Sequence, residues 1–117
     1  MGNSCEVLDK SVKKSIEDSF KSFMAECFNK GPSLAKAYIS GNCITIYGKN
    51  FLTPLEKNLK NDTYGECLIQ VSRKRILNDK KVDFLRIVDD KIGSKVINFY
   101  IDFNVLDDSL CCVFITE

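Results

Sequence analysis

The first pattern along the chain is that of an amphipathic helix. Apolar side chains recur every three or four residues, at Val12, Ile16, Phe20, Phe23 and Cys27. Between them, on the side expected to be solvated, lie Lys13, Lys14, Glu17 and Lys21. Gly31 and Pro32 then favour a helix end, because glycine accepts the left-handed conformation and proline cannot continue a helix. The pattern therefore predicts a helix that ends before Gly31.

Two short runs with β-strand character come next. They cover residues 34–40 and 43–47, and both are rich in apolar and β-branched side chains. Gly41-Asn42 stands between them and is typical of a two-residue hairpin turn. We therefore predict a β-hairpin directly after the first helix.

Helix start signals follow the hairpin. Thr53 and Glu56 have the spacing of a capping box, in which each side chain can bond the other residue's backbone, and Pro54 suits the first helical position. Thr63 and Glu66 repeat the same spacing. The sequence thus predicts a short helix after Thr53 and a second helix after Thr63.

The second of these helices is long, and we expect it to end at Gly93. Its predicted buried face consists of Cys67, Leu68 and Val71 in the first part and of Phe84, Leu85, Val88 and Ile92 in the last part. The middle of the helix is polar, with basic residues at 73–75.

The clearest strand covers residues 95–104. Ile97, Phe99, Ile101 and Phe103 alternate there with Val96, Asn98, Tyr100 and Asp102. A turn at residues 107–109 leads into a last predicted strand, residues 110–116. The chain therefore ends in a second hairpin.

These elements predict an α+β fold in the order αββ-ααββ. Two units of helix plus hairpin build a four-stranded antiparallel sheet with the helices on one face. The element order is that of a circularly permuted ferredoxin-like fold, and the strand order stays open. At 117 residues we expect a single domain over 1–117, with residues 1–9 as a frayed N-terminus.

Composition narrows the function classes. Apolar residues make up 44% and charged residues 28% of the chain, which is ordinary for a globular protein. The net charge of +1 is too small for the protein as a whole to attract nucleic acid or anionic lipid. No stretch has the ~20 apolar residues that a membrane crossing needs. We expect a bacterial, cytoplasmic protein without a transmembrane segment; a peripheral position at the inner face of the membrane is the alternative.

Candidate chemistry is sparse. The chain has no histidine, which removes the usual general base near neutral pH, and its six cysteines are scattered without a Cys-x-x-Cys pair. We expect free thiols, no metal, no cofactor and no catalytic residues. The acidic pairs Glu17-Asp18, Asp89-Asp90 and Asp107-Asp108 fit solvated helix faces or turns. We therefore do not expect an enzyme.

Three features leave alternatives open. The basic residues of helix 63–92 form either a solvated, salt-bridged face or a nucleic-acid-binding stripe. Asp102 is either solvated or paired with Arg73 or Arg75. A sheet covered on one side leaves a face with Val96, Tyr100 and Tyr47, where tyrosines can stack bases or build a protein interface. Homodimerisation through this face is the physical hypothesis that we favour.

A series of landmarks resembles a known family. They are Asn29-Lys30-Gly31-Pro32, Ile44, Ile46, Gly48, the segment Phe51 to Glu56, Gly65, Val71, Arg73, Ile92-Gly93, Val96, Asp102 and Val113-Phe114-Ile115. In this series the chain resembles the MpsC family, named after a sodium-translocating, membrane-potential-generating system. Lys30 departs from the arginine usual in the family, and residues 1–9 have no counterpart.

The resemblance implies a small cytosolic protein associated with a membrane cation or bicarbonate uptake system; it carries over no catalytic residue. We therefore expect a non-catalytic accessory or regulatory subunit that docks on an inner-membrane transport subunit. A nucleic-acid-binding regulator that uses helix 63–92 is the alternative. The candidate interface or motif residues are Lys30, Gly31, Pro32, Thr53, Glu56, Arg73, Tyr100 and Asp102.

Overall fold

A computed structural model describes the backbone from Gly2 to Glu117 and the side chains from Lys10 onward. Its elements are α1 (Gly2–Phe28), β1 (Leu34–Ser40), β2 (Cys43–Lys49), α2 (Pro54–Leu59), α3 (Thr63–Ile92), β3 (Val96–Asn104) and β4 (Ser109–Thr116). The predicted order αββ-ααββ is confirmed. The prediction of a frayed N-terminus over residues 1–9 concerns a segment whose side chains lie outside the described residues.

The strands form one antiparallel sheet in the order β1-β2-β4-β3. Gly41 adopts a positive φ of 58° in the predicted turn, so that Ser40 pairs directly with Cys43. Because β2 and β3 are both antiparallel to β4, they are parallel to each other, with α2 and α3 in the connection between them. This is the split β-α-β arrangement of ferredoxin-like folds, which the element order suggested.

Helices α1 and α3 pack together on one face of the sheet. Phe84 of α3 lies at the centre of the layer between them and the strands. Its ring stacks on Phe23 at 4.4 Å and contacts Phe20 at 5.9 Å and Phe114 at 5.7 Å between centroids. The predicted apolar face of α1 is confirmed, since Ile16, Phe20 and Phe23 are buried.

The end of α1 differs from the prediction. The left-handed residue is Asn29, with φ 61°, whose N–H bonds the Ala25 carbonyl at 2.8 Å. Gly31 instead allows a close approach of two chain segments, because a Cβ there would lie 2.6 Å from the Lys21 carbonyl oxygen. Gly31 therefore allows the chain to fold back closely along α1, and it does not itself end the helix.

The start of α3 also differs. Asp62, not Thr63, is the N-cap, and its carboxylate accepts a hydrogen bond of 2.7 Å from the Gly65 N–H. Aspartate is at least as good a cap as threonine, and the helix consequently begins one residue earlier than predicted, at Thr63. Gly65 is buried where α3 meets the end of α2, and a Cβ at this position would lie 1.6 Å from the Leu59 carbonyl oxygen.

The first half of α3 turns a different face inward from the one predicted. Cys67, Leu68 and Val71 are exposed, whereas Ile69, Arg73 and Leu77 are buried. These buried residues are spaced four apart, which places them on one side of the helix. The apolar pattern failed here because an arginine occupies one of the core positions. In the second half the prediction holds, with Phe84 and Val88 fully buried.

A β-bulge changes the predicted register of β3. The shift lies between Val96 and Asn98, so Val96 is buried on the helix side and Ile97 is 51% exposed. The prediction that Val96 lies on the open face with Tyr47 and Tyr100 is therefore wrong. A bulge places two residues opposite one on the partner strand, which a strict alternation of side chains cannot anticipate.

The Gly65 contact gives a stability prediction. Replacing Gly65 with Ala forces α2 and α3 apart, and we expect a loss of about 3 kcal/mol in the free energy of unfolding, at the upper end for overpacked sites. Urea denaturation followed by circular dichroism measures the change. Tyr64→Ala is the matched control, because Tyr64 is 75% exposed in the same helical turn and should leave the midpoint nearly unchanged. Equal midpoints for Gly65→Ala and the wild type would contradict the close contact.

Candidate functional site

Half of the candidate residues, namely Lys30, Thr53, Glu56 and Arg73, lie around the place where α1, α2 and α3 meet. Arg73 lies at the centre of this corner and is 1% exposed, the largest of the fully buried side chains. Its position follows from the helix, since Ile69 and Leu77, one turn before and after it, pack into the core. The expectation that Arg73 belongs to a solvated basic face is therefore wrong.

A two-pronged ion pair neutralises the buried guanidinium. Its Nε donates to Oε2 of Glu56 at 2.7 Å, and its Nη2 donates to Oε1 of the same carboxylate at 2.6 Å. Nη2 also donates to the Phe51 carbonyl at 3.2 Å. Such a fork matches the planar guanidinium to the carboxylate, and a lysine at this position would not reproduce it.

Aromatic rings surround the remaining surface of the guanidinium. Its central carbon lies 4.1 Å from the ring centroid of Phe28 and 4.7 Å from that of Phe51, with Phe103 at 5.9 Å. These distances are those of cation–π contacts, which strengthen when the cation is shielded from water. Among the described residues, Nη1 of Arg73 has no hydrogen-bond partner.

Glu56 also completes the capping box of α2. Its Oε1 accepts the Thr53 N–H at 2.9 Å, while the Thr53 hydroxyl accepts the Glu56 N–H at 3.2 Å. The predicted box is thus confirmed, but capping is only one of its roles. One carboxylate fixes the start of α2 and at the same time holds that helix against Arg73 of α3.

The ion pair governs the ionisation of Glu56. Burial by itself raises the pKa of this carboxyl, but the hydrogen bonds and the charge of Arg73, together with the Thr53 N–H, outweigh burial and lower the pKa below 4.5. Glu56 is therefore ionised near neutral pH and is not suited to act there as a general acid or base.

The segment between β2 and α2 is held by two further side chains. Lys30 donates from Nζ to the Leu52 carbonyl at 2.7 Å. Asp108, in the β3–β4 turn, accepts the N–H groups of Phe51 and Leu52 at 2.8 and 3.0 Å. The Lys30 Nζ also donates to Oδ1 of Asn50 at 3.5 Å, so the ammonium binds two oxygens of this segment.

Sequence reasoning missed Asp108 and Phe28. From the sequence Asp108 fits a solvated turn, and its one signal is its place in an Asp-Asp-Ser turn, where a side chain is free to bond neighbouring backbone N–H groups. Phe28 continues the apolar end of α1 but falls outside the helical pattern. Its role depends on a partner 45 positions away in the chain, Arg73, which local patterns do not reveal.

A groove lies beside the ion pair. It has a volume of about 360 Å³ and is mainly apolar, lined by residues that include Leu55, Leu59, Leu68, Phe28 and Ile76. Leu55 is 68% exposed on its rim. Gly31 and Pro32 lie outside this lining, on the segment that carries Lys30.

Tyr100 and Asp102 lie on a different surface, the open face of the sheet that the helices leave uncovered. Tyr100 is 60% exposed, and Tyr38 on the opposite edge strand is 58% exposed. The Asp102 carboxylate is largely exposed, 3.8 Å from the Lys74 Nζ. Of the alternative in which Asp102 pairs with Arg73 or Arg75, the Arg73 pair is wrong because Arg73 binds Glu56.

Other elements of the described chain carry no concentration of reactive groups. The cysteines at 27, 43, 67, 111 and 112 are free thiols, of which only Cys112 is fully buried, and burial raises its pKa well above that of an ordinary thiol. Among the described residues, no three His, Cys, Asp or Glu side chains are grouped to hold a metal ion. None of the described helices is long and apolar enough to cross a membrane.

Comparisons with known proteins agree with the landmarks. Residues 9–117 match the profile of the MpsC family, whose description is Na+-translocating membrane potential-generating system (MpsC). This range contains the Arg73 corner and the open face alike. Neither the curated proteins nor the solved structures with which the chain was compared include a match.

The ion pair gives a second stability prediction. Glu56→Gln keeps a side chain that can complete the capping box but removes the negative charge, leaving the buried guanidinium unneutralised. We expect a loss of about 3 kcal/mol in the free energy of unfolding. Asp18→Asn is the control, because its ion pair with Lys14 at 3.3 Å is exposed and should contribute little. Similar urea midpoints for both variants would show that the pair is not stabilising.

The lowered pKa of Glu56 gives a pH prediction. A carboxyl whose pKa is lower in the folded state stabilises that state above its unfolded pKa, 4.5, and loses this contribution as the pH falls through the folded pKa. The difference in unfolding free energy between wild type and Glu56→Gln should therefore be constant near pH 7 and shrink below pH 4.5. Urea titrations at several pH values measure it. A difference that stays constant down to pH 3 would contradict the depressed pKa.

Proposed function

The chain belongs to the MpsC family, and from that premise we propose that it is a non-catalytic accessory subunit of a membrane cation- or bicarbonate-translocating system. On this proposal it resides in the bacterial cytoplasm, at the inner face of the membrane, and acts by binding other proteins. Self-association into a homodimer is part of the proposal.

The observation that carries the proposal is the open face of the sheet. Helices cover the other face only, and the open face presents Tyr38, Tyr47 and Tyr100 around the half-buried Val113 and Ile115. Tyrosines on a rigid sheet offer a large contact area at a small loss of side-chain entropy, and contiguous exposed apolar area commonly marks an interface.

The polar groups of the Arg73 corner support a structural role for that corner. Glu56, Arg73, Lys30 and Asp108 all take their main hydrogen bonds from within the chain. A catalytic group needs a free hydrogen-bonding position towards a substrate and a pKa suited to proton transfer. Glu56 is ionised and engaged on both oxygens, so it offers neither.

Nucleic-acid binding by α3 is the alternative. Lys74, Arg75, Lys80, Lys81 and Arg86 are exposed on this helix and supply positive charge. Arg73 is buried, however, and the charge of Lys74 is partly offset by the neighbouring Asp102. The positive charge exposed on α3 is therefore smaller than the sequence predicted. Base stacking on the open-face tyrosines stays an alternative use of that surface.

Affinity purification of the tagged protein from gently solubilised cells of the source organism tests the proposal. We expect stoichiometric recovery of the integral membrane proteins of a cation-translocating system, resistant to nuclease, because the proposed contact is between proteins. Replacing Tyr38 and Tyr100 together with Ser should abolish this recovery. Tyr64→Ser is the matched control, since this tyrosine is even more exposed but lies on α3, away from the open face.

Recovery of nucleic acid in place of membrane proteins would favour the alternative. Loss of membrane proteins with Tyr64→Ser but not with the open-face variant would move the docking surface to the helices. Recovery of the tagged chain alone would contradict an accessory role in the cells tested.

A further inference from the structure

The open face has a defined arrangement of side chains because the strand register fixes it. Residues that pair across neighbouring strands point to the same side of the sheet. One row across the face is Tyr38, Thr45, Val113 and Tyr100, and the next row is Lys36, Tyr47, Cys111 and Asp102. Each row runs from edge strand β1 through β2 and β4 to edge strand β3.

The second row carries opposite charges at its two ends. Lys36 lies on one edge strand and Asp102 on the other, both exposed, with Tyr47 and Cys111 between them. The Asp102 carboxylate also lies 3.8 Å from the Lys74 Nζ, in an exposed pair that a closer cation can replace. The first row has a tyrosine at each end. In these two rows the middle of the face carries no charge, with a positive margin at Lys36 and a negative margin at Asp102. Lys49 lies on β2 in the next row, where it is 3.6 Å from the Asp107 carboxylate.

Only one two-fold arrangement of two such faces pairs these charges. An axis parallel to the strands, between β2 and β4, places β1 of one copy over β3 of the other and keeps each row at its own level. Lys36 then meets Asp102 of the second copy, and Tyr38 meets its Tyr100. An axis across the strands places each edge strand over its own copy, so at the level of this row Lys36 meets Lys36 and Asp102 meets Asp102.

The edges of the sheet are less suited to association than its face. On β1 the Glu17 carboxylate of α1 accepts the Ala37 N–H at 2.8 Å and occupies a donor that an added strand would need. On β3 the bulge between Val96 and Asn98 interrupts the edge. Covered and bulged edges disfavour strand addition. Glu17, predicted on a solvated helix face, thus protects the sheet.

From this placement we propose that the open face binds a second copy of this chain about a two-fold axis parallel to the strands, with Lys36 of each copy paired with Asp102 of the other. This inference rests on the proposed function, because it identifies a second copy of the chain as a partner that binds the same open face. Two aligned sheets pack about 10 Å apart, at an angle of about 30°, which long side chains at the margins can bridge.

The size of the face sets the strength of this dimer. Four strands about 4.8 Å apart and about seven residues long cover roughly 450 Å². A standard interface buries about 800 Å² on each partner. We therefore expect a weak dimer that dissociates on dilution and whose association weakens with salt, since exposed charges are screened.

Charge reversal on the purified full chain tests the arrangement. In Lys36→Glu two acidic margins face each other, and in Asp102→Lys two basic margins do so; each should weaken self-association at least tenfold, as measured by sedimentation velocity over a concentration series. When the two variants are mixed, both charge pairs of the heterodimer become favourable, and association should return to within about threefold of wild type. Lys80→Glu, an equal charge change on α3, is the control and should leave association unchanged.

Three results would overturn the proposal: a wild-type chain that stays monomeric up to about 1 mM, single variants that associate like wild type, and mixed variants that fail to associate. Circular dichroism of each variant alone excludes unfolding, since both positions are exposed. The measurement uses the pure protein, so it separates the two hypotheses. A monomeric chain that still recovers membrane proteins sinks the two-fold dimer and leaves the accessory role standing.

Discussion

The ion pair between Arg73 and Glu56 is the constraint on which the arrangement of the helices depends. A buried guanidinium is costly unless its charge is neutralised and its donors are bonded. Glu56 meets this need from α2, and the Phe51 carbonyl meets it from the segment after β2. Phe28 adds the end of α1 through its ring. Three parts of the chain thus contact this side chain of α3, and α2, only six residues long with no buried residue of its own, is held chiefly by it.

Sequence patterns correctly predicted those features of the fold that depend on interactions between residues close together in the chain. The bounds of β1, the two-residue turn and the Thr53 capping box all depend on residues within a few positions of each other, and the structure has each of them. Arg73 was misjudged because it stands in a basic run and its partners lie 17, 22 and 45 positions away. Gly31 was misjudged for a related reason, since the close approach that requires glycine involves Lys21 of the preceding helix.

The two surfaces that carry the candidate residues have different characters. In the Arg73 corner the polar atoms face inward and serve the fold, so mutations there should act on stability before they act on binding. On the open face, Tyr100 is largely exposed, and the Asp102 carboxylate makes only local or loose contacts: it accepts the N–H of the next residue, Phe103, at 2.9 Å and lies 3.8 Å from Lys74. A stable variant that loses a partner is therefore to be sought among open-face residues, not in the corner.

A patch with one positive and one negative margin also limits how many copies assemble. In a two-fold dimer both faces are used up, so the contact closes on itself and does not propagate. Growth would then require the sheet edges, where Glu17 occupies the Ala37 N–H on β1 and the bulge distorts β3. Because these edges are blocked, association is directed to the open face, and association through that face stops at a dimer. A second copy and a membrane subunit would therefore compete for the open face, and a dimer that dissociates readily leaves that face available to the subunit.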